Sequence, residues 1–214
     1  MNSVDLSRCR LYGIIDLGYV AADQAARVAR EMIAGGVDII QLRAKTRDLR
    51  AIIDLAAKLH PITARADVPL VINDHAQVAR EVPVEGIHVG QDDGSVAAAR
   101  EIAGQDCFIG KSTHSLAQAE SAAAEGADYI GWGPLFATPT KPDYVPIGLQ
   151  EISAVHRAVD LPIFCIGGIK LGDLPEVVAA GGRRVVIVSG LLQAPDVAQY
   201  AREAKSLLHQ NSKT

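Results

Sequence analysis

Eight times along this chain a short apolar run ends in a polar cluster and gives way to a stretch with helical spacing. The apolar runs fall at residues 11–16, 37–42, 70–72, 86–89, 108–111, 129–131, 162–166 and 185–188. The helical stretches follow at 25–33, 49–57, 76–82, 95–103, 116–124, 149–159, 174–180 and 196–208. Strands alternating with helices form parallel sheets, because a parallel pair needs a crossover and a helix supplies it. Eight such units with no spare element predict an α/β fold closed into a (β/α)8 TIM barrel. A doubly wound open sheet has the same alternation and is the alternative. No linker, low-complexity segment or shift in composition divides the 214 residues, so one domain over 1–214 is expected.

A barrel of this kind puts every strand-end cluster on one rim, where active sites of such folds form. The stretch from Leu70 to Asp93 is the most informative. Its two strands end in Asn73-Asp74 and in Gln91-Asp92-Asp93. Carboxylates delivered from neighbouring strand ends suit a Mg²⁺ shared with substrate phosphates. An Asp after a strand also serves as the N-cap of the next helix, and that reading stands beside the first. Strand two offers Gln41, Arg43 and Lys45 on one side if it persists that far. Two cations there suit a pyrophosphate, or are solvated charge at a strand end. Strand five ends in Ser112-Thr113-His114, and a lone His in such a loop is commonly a hydrogen-bonding residue. The Pro- and Gly-containing segment 133–148 is long enough for a lid and carries Thr138, Thr140 and Lys141. Strands seven and eight end in Gly167-Gly168 and Val188-Ser189-Gly190, where backbone N–H groups can approach a phosphate.

Composition narrows the partners. A net charge of -4 argues against a nucleic-acid surface. No apolar run reaches transmembrane length and residues 1–10 lack a signal-peptide core, so a cytoplasmic protein without membrane partner is expected. Small-molecule substrates remain as the expected partners, and no feature favours a particular oligomeric state. The 3 cysteines have no metal-ligand spacing and read as small buried apolar residues.

The strand-end motifs, in order, are Tyr12-Gly13-Ile14-Ile15-Asp16, Gln41-Leu42-Arg43-Ala44-Lys45, Asn73-Asp74 and Gly86-Ile87-His88-Val89-Gly90-Gln91-Asp92-Asp93. They continue with Gly110-Lys111-Ser112-Thr113-His114, residues 133–141, Ile166-Gly167-Gly168-Ile169 and Val188-Ser189. In this order and spacing the chain resembles the thiamine phosphate synthase family from Tyr12 to about Leu191. The resemblance implies a (β/α)8 enzyme that joins hydroxymethylpyrimidine diphosphate to hydroxyethylthiazole phosphate and releases pyrophosphate. It implies Mg²⁺ on Asp74 and Asp93, with Asp92 a competitor because Glu is usual at its position. It implies that Arg43, Lys45, Asn73, Ser112 and Lys141 hold the diphosphate and that Gln41 contacts the pyrimidine. Arg43, Lys45, Ser112 and Lys141 would be the groups acting on the reacting bond. Thr138, Thr140, Gly168, Val188 and Ser189 would line the thiazole phosphate site. The chain departs from the family at Gly182-Arg183-Arg184, where Ala-Asp-Gly is usual. Two other functions are compatible with the fold. A related thiazole tautomerase would use His114 as acid and base, and a non-catalytic phosphate-ligand-binding protein would keep the barrel without turnover.

Overall fold

The computed structural model of the protein describes residues 4–138 and 145–210. Strands β1 (Leu11–Asp16), β2 (Ile39–Arg43), β3 (Leu70–Asn73), β4 (Gly86–Val89), β5 (Phe108–Thr113), β6 (Tyr129–Trp132), β7 (Ile163–Cys165) and β8 (Val185–Ile187) are all parallel. They close in chain order, with β8 pairing back on β1. The expected TIM barrel is therefore the fold, and the open sheet is not.

Alternation along the strands separates two apolar cores. One lies between strands and helices and contains Leu11, Ile15, Ile40, Leu42, Ile72, Ile109, Ile130, Trp132 and Ile187. The other fills the barrel interior with Tyr12, Ile14, Ile39, Val71, Tyr129, Phe164 and Val186. Leu6 and Cys9, ahead of β1, belong to the interior set and close the barrel bottom. The Arg183-Arg184 departure lies at this end: Arg184 Nη2 donates to the Ser7 carbonyl at 2.8 Å and Arg10 Nη1 to the Arg183 carbonyl at 3.2 Å. All three cysteines are buried and free.

The interior is dominated by rings. Tyr12 and Phe164 meet edge-on with centroids 5.5 Å apart, and Tyr129 meets Phe164 at 5.4 Å. Rings of this size fit a narrow barrel where the paired position on the neighbouring strand carries no side chain. Gly86 and Gly110 make that room, since a Cβ at either would collide with the Phe108 or the Tyr129 ring.

Helices α1 (Ala25–Ala34), α2 (Leu49–Ala64), α3 (Val96–Ala103), α4 (Leu116–Ala124), α5 (Ile152–Ala158), α6 (Leu174–Ala179), α7 (Ser189–Leu192) and α8 (Val197–Gln210) occupy the connections. Asp48, Ser95 and Ser115 cap three of them by accepting from the backbone N–H three residues on. Two expectations change. Helix α2 runs to Ala64 rather than stopping at 57, passing through Pro61. The missing N–H is offset by the buried face Ile52, Leu55, Ala56, Leu59 and Thr63. Residues 76–82 form no α-helix but a 3₁₀ turn at Ala76–Arg80. Asp74 takes a left-handed φ of 67° just before it, and Pro83 disfavours helical backbone at Val82 just after. The left-handed residue and the proline bracket the turn on its two sides. Among the described residues no helix is long and apolar enough to cross a membrane.

Gly110→Ala is expected to destabilise the protein by roughly 1–3 kcal/mol or more, since overpacking displaces the Tyr129 ring. Gly172→Ala, where the added carbon meets nothing within 4 Å, should stay within about 0.5 kcal/mol of the parent. Urea unfolding of the two variants checks the contrast.

Candidate active site

The C-terminal mouth of the barrel opens into one cleft. Among the residues singled out from the sequence, Gln41, Arg43, Asn73, Ser112, Thr138, Gly168, Val188 and Ser189 line it together, with His114. They arrive from β2, β3, β5 and the segments after β6, β7 and β8. Lys45, Asp74 and Asp93 are not part of this lining and form a charged cluster among themselves. Thr140 and Lys141 lie outside the described residues.

Strand β2 ends at Arg43, so Lys45 leaves the alternation that keeps Gln41 and Arg43 in the cleft. Its Nζ stands 2.7 Å from Asp74 and 3.3 Å from Asp93. Of the two neighbouring aspartates, Asp93 and not Asp92 converges with Asp74 on this ammonium. Asp74 is fixed from several sides: its N–H donates to the His88 carbonyl at 2.8 Å, and its carboxylate accepts from Asn73 Nδ2 at 2.5 Å. Burial pushes the Asp74 carboxyl up; Lys45 pulls it down, Asp93 adds like-charge repulsion, and the net direction is upward. Burial pulls Lys45 down, but its two carboxylates outweigh that and leave it raised. Both directions hold at once because Asp74 faces a second anion whereas Lys45 faces only anions. Two carboxylates converge on this one ammonium. The Lys45 ammonium stands where a cation is wanted, and hard oxygen donors are what Mg²⁺ takes, so the residues fit that ion.

Arg43 is held by a residue the sequence reading left unassigned. Asp16, 3% exposed at the end of β1, accepts from Arg43 Nη1 at 2.6 Å and from the Gly18 N–H at 2.8 Å. Asp16 closes an apolar run in the manner of the other rim clusters, and that position was the available signal.

Below the charged groups, a chain of polar side chains crosses the barrel. Gln41 Nε2 donates to Tyr12 Oη at 2.7 Å. Tyr12 Oη lies 3.1 Å from Tyr129 Oη, which lies 2.9 Å from His88 Nδ1. His88 Nε2 lies 2.9 Å from Ser112 Oγ. Tyr12, His88 and Tyr129 line the cleft, yet the sequence offered them only as members of apolar runs. The alternation that puts Gln41 inward puts them inward too, and an inward polar atom needs a partner. Burial raises both phenols well above the usual tyrosine range, so each keeps its proton.

His114 donates through Nδ1 to the Gly133 carbonyl, and its backbone N–H donates to Gln118 Oε1 at 2.7 Å. Gly167 and Gly168 have φ of 97° and 72°. A Cβ on Gly168 would come within 2.6 Å of the Ala137 carbonyl oxygen, and one on Gly167 would collide with Pro134. These glycines thus meet a demand beyond ligand approach, because the segment after β6 lies directly on them. Helix α7, absent from the sequence reading, begins at Ser189.

The chain matches the family model described as thiamine monophosphate synthase over residues 11–191. It is 41% identical to the thiamine-phosphate synthase of Chloroflexus aurantiacus, covering 93% of this chain and 92% of that protein. It is likewise 41% identical to that of Halalkalibacterium halodurans, covering 94% and 96%. Among solved structures, thiamine phosphate pyrophosphorylase from Pyrococcus furiosus superposes with a TM-score of 0.87 at 29% identity, covering 96% of this chain and 98% of that one. A 3-hexulose-6-phosphate synthase superposes at 0.71 with 18% identity, a likeness of fold alone.

The cluster sets a sign for titration. Asp74 should titrate above the ordinary aspartate value of 3.8. Asp93→Asn removes a like charge and should lower it, whereas Lys45→Met removes the attraction and should raise it further. Carbon-detected NMR titration of the Asp74 carboxyl in the three proteins checks both directions.

Proposed function

The chain belongs to the thiamine monophosphate synthase family and is a transferase of thiamine biosynthesis, and from that premise we propose the substrates and the division of labour. It joins 4-amino-2-methyl-5-hydroxymethylpyrimidine diphosphate to hydroxyethylthiazole phosphate, giving thiamine phosphate and pyrophosphate. The observation that carries the reading is the convergence on one mouth of a lined cleft with Arg43 and Ser112 and an acidic pair at Lys45.

Gln41 contacts the pyrimidine, while Arg43, Asn73 and Ser112 hold the diphosphate, with Lys141 expected to join them. As the carbon–oxygen bond to the diphosphate breaks, negative charge grows on the leaving oxygens. Groups already pointing there stabilise it without reorganising. Arg43 is such a group, because Asp16 fixes its guanidinium before substrate arrives. Mg²⁺ held by Asp74 and Asp93 would supply further positive charge against the departing diphosphate. Lys45, beside that pair, would add its ammonium charge toward the diphosphate. The electron-rich aminopyrimidine carries the positive charge left behind until the thiazole nitrogen attacks. Thr138, Thr140, Gly168, Val188 and Ser189 hold the thiazole phosphate, next to the start of α7, which is where barrels of this type hold phosphates. The segment 133–148 would keep water from the cation. The substrates are small molecules and no step calls for nucleic acid or membrane; the cytoplasm is the compartment such chemistry suits.

Pyrophosphate release should require both substrates and Mg²⁺. Asp93→Ala should lower the rate by roughly a thousandfold, since lost metal charge stabilisation is worth several kcal/mol. His114→Ala should cost far less, because loss of the diphosphate needs no proton from an imidazole. Steady-state assays of both variants, with and without EDTA, decide between this reading and the tautomerase. The tautomerase predicts an essential His114, a dispensable Asp93 and indifference to chelator.

Ser189→Ala should weaken the thiazole phosphate by roughly 1–2 kcal/mol, as for a hydrogen bond to a charged group. The KM of the pyrimidine diphosphate should stay unchanged. Equal weakening toward both substrates would show the two phosphate assignments to be wrong.

A further inference from the structure

The polar chain across the barrel has a direction that its chemistry fixes. A primary amide nitrogen carries protons and accepts none, so Gln41 Nε2 can only donate to Tyr12 Oη, 2.7 Å away. Tyr12 has one proton of its own, and of its two hydroxyl contacts only Tyr129 Oη, at 3.1 Å, can accept it. Tyr129 Oη, having accepted, turns its proton to His88 Nδ1 at 2.9 Å. A nitrogen that accepts carries no proton, so the neutral imidazole carries it on Nε2. That N–H points at Ser112 Oγ, 2.9 Å away. Ser112 therefore enters the cleft as an acceptor from His88, with its own proton directed to whatever acceptor the cleft holds. Running the chain the other way would require the Gln41 amide to present its carbonyl oxygen to Tyr12. Ser112 would then spend its proton on His88 and face the cleft as an acceptor only.

We propose that Tyr12, Tyr129 and His88 are positioning residues that carry the donor sense of the Gln41 amide across the barrel and make Ser112 a hydrogen-bond donor to the substrate's leaving diphosphate. The two ends of the chain, Gln41 and Ser112, are the groups assigned above to the pyrimidine and the diphosphate of one substrate, so the inference rests on that reading. The closed geometry explains why polar groups persist in a barrel interior otherwise filled by Phe164, Ile14 and Val186. An aliphatic core would be as compact but would leave the Ser112 proton free to rotate. In this role Tyr129 acts through His88 on Ser112.

Two measurements test it. Nitrogen-15 NMR of the ligand-free enzyme at neutral pH should find the His88 proton on Nε2 with Nδ1 bare. In Tyr129→Phe, which keeps the ring and removes only Oη, the two tautomers should mix. A proton on Nδ1 in the parent enzyme would overturn the proposed order. The second measurement is a double-mutant cycle on pyrophosphate release. Tyr129→Phe should lower kcat about tenfold, equivalent to about 1.4 kcal/mol, with little change in KM. In the Ser112→Ala background the same change should cost no more than about twofold, because the group it orients is gone. An equal factor in both backgrounds would mean that Tyr129 only supports the fold, and the proposal would fail. Absence of pyrophosphate release from the parent enzyme would refute the functional reading instead, while the tautomer, read without substrate, still decides the order of the chain.

Discussion

Two tyrosine hydroxyls lie in a barrel interior lined chiefly by apolar side chains, and much of the site follows from the need to partner them. An unpaired hydroxyl in such a place costs about 1–3 kcal/mol by protein mutational measures. Tyr12 and Tyr129 satisfy each other, but each retains one more capacity, which Gln41 meets on one side and His88 on the other. The rings beneath occupy the space that Gly86 and Gly110 vacate, so the polar tips end at a defined height. The floor of the cleft is therefore fixed by packing, and the residues above inherit that precision. Removing one glycine and removing one hydroxyl disturb the same assembly from opposite sides.

The charged side of the mouth obeys a different balance. Arg43 and Asp16 form a pair in which the carboxylate is almost wholly buried, with side-chain exposures of 17% and 4%. Breaking such a pair leaves a buried charge uncompensated, so Asp16 constrains Arg43 strongly. The Lys45 cluster is wetter, with 42% of the Lys45 side chain exposed, and it sets two carboxylates around one ammonium. A tight, buried pair stands beside a looser, wetter triad. The first holds a guanidinium in a fixed place; the second leaves its ammonium partly exposed.

Much of this could be read in the sequence, and the omissions have physical reasons. The eight strands were visible because each is a short apolar run closed by polar residues, and closure followed from the absence of a spare unit. Gln41, Arg43, Asn73 and Ser112 were visible because they end those runs. Asp16 ends one too, but its importance depends on Arg43 from the neighbouring strand, a pairing that only the register Asp16↔Arg43 supplies. Tyr12, Tyr129 and His88 look like core because two are aromatic and the third sits between Ile87 and Val89. Their function appears only when strands β1, β4 and β6 bring three distant atoms within hydrogen-bond reach. The 3₁₀ turn after β3 escaped notice because helical composition does not separate a 3₁₀ turn from an α-helix, and the left-handed backbone of Asp74 cannot be read from residue type.

The distribution of charge around the cleft bears on the chemistry proposed for it. Among the described residues no Asp or Glu lines the cleft, and its one permanent cation, Arg43, is matched by Asp16 outside it. Ile14, Ile166, Ile169, Val186 and Val188 supply apolar wall on the side toward β7, β8 and β1. A carboxylate in that wall would trap a cationic intermediate, and a water-lined wall would hydrolyse it. Neutral hydroxyls and aliphatic side chains do neither. In the proposed chemistry the departing anion would meet the charged groups at one edge, while the carbon it leaves behind would face a surface with little to offer as a nucleophile. Gly167 and Gly168, pressed against Pro134 and Ala137, tie that surface to the segment after β6. Residues 134–137 thus pack on the apolar side of the cleft, apart from the charged edge at the ends of β2 and β3.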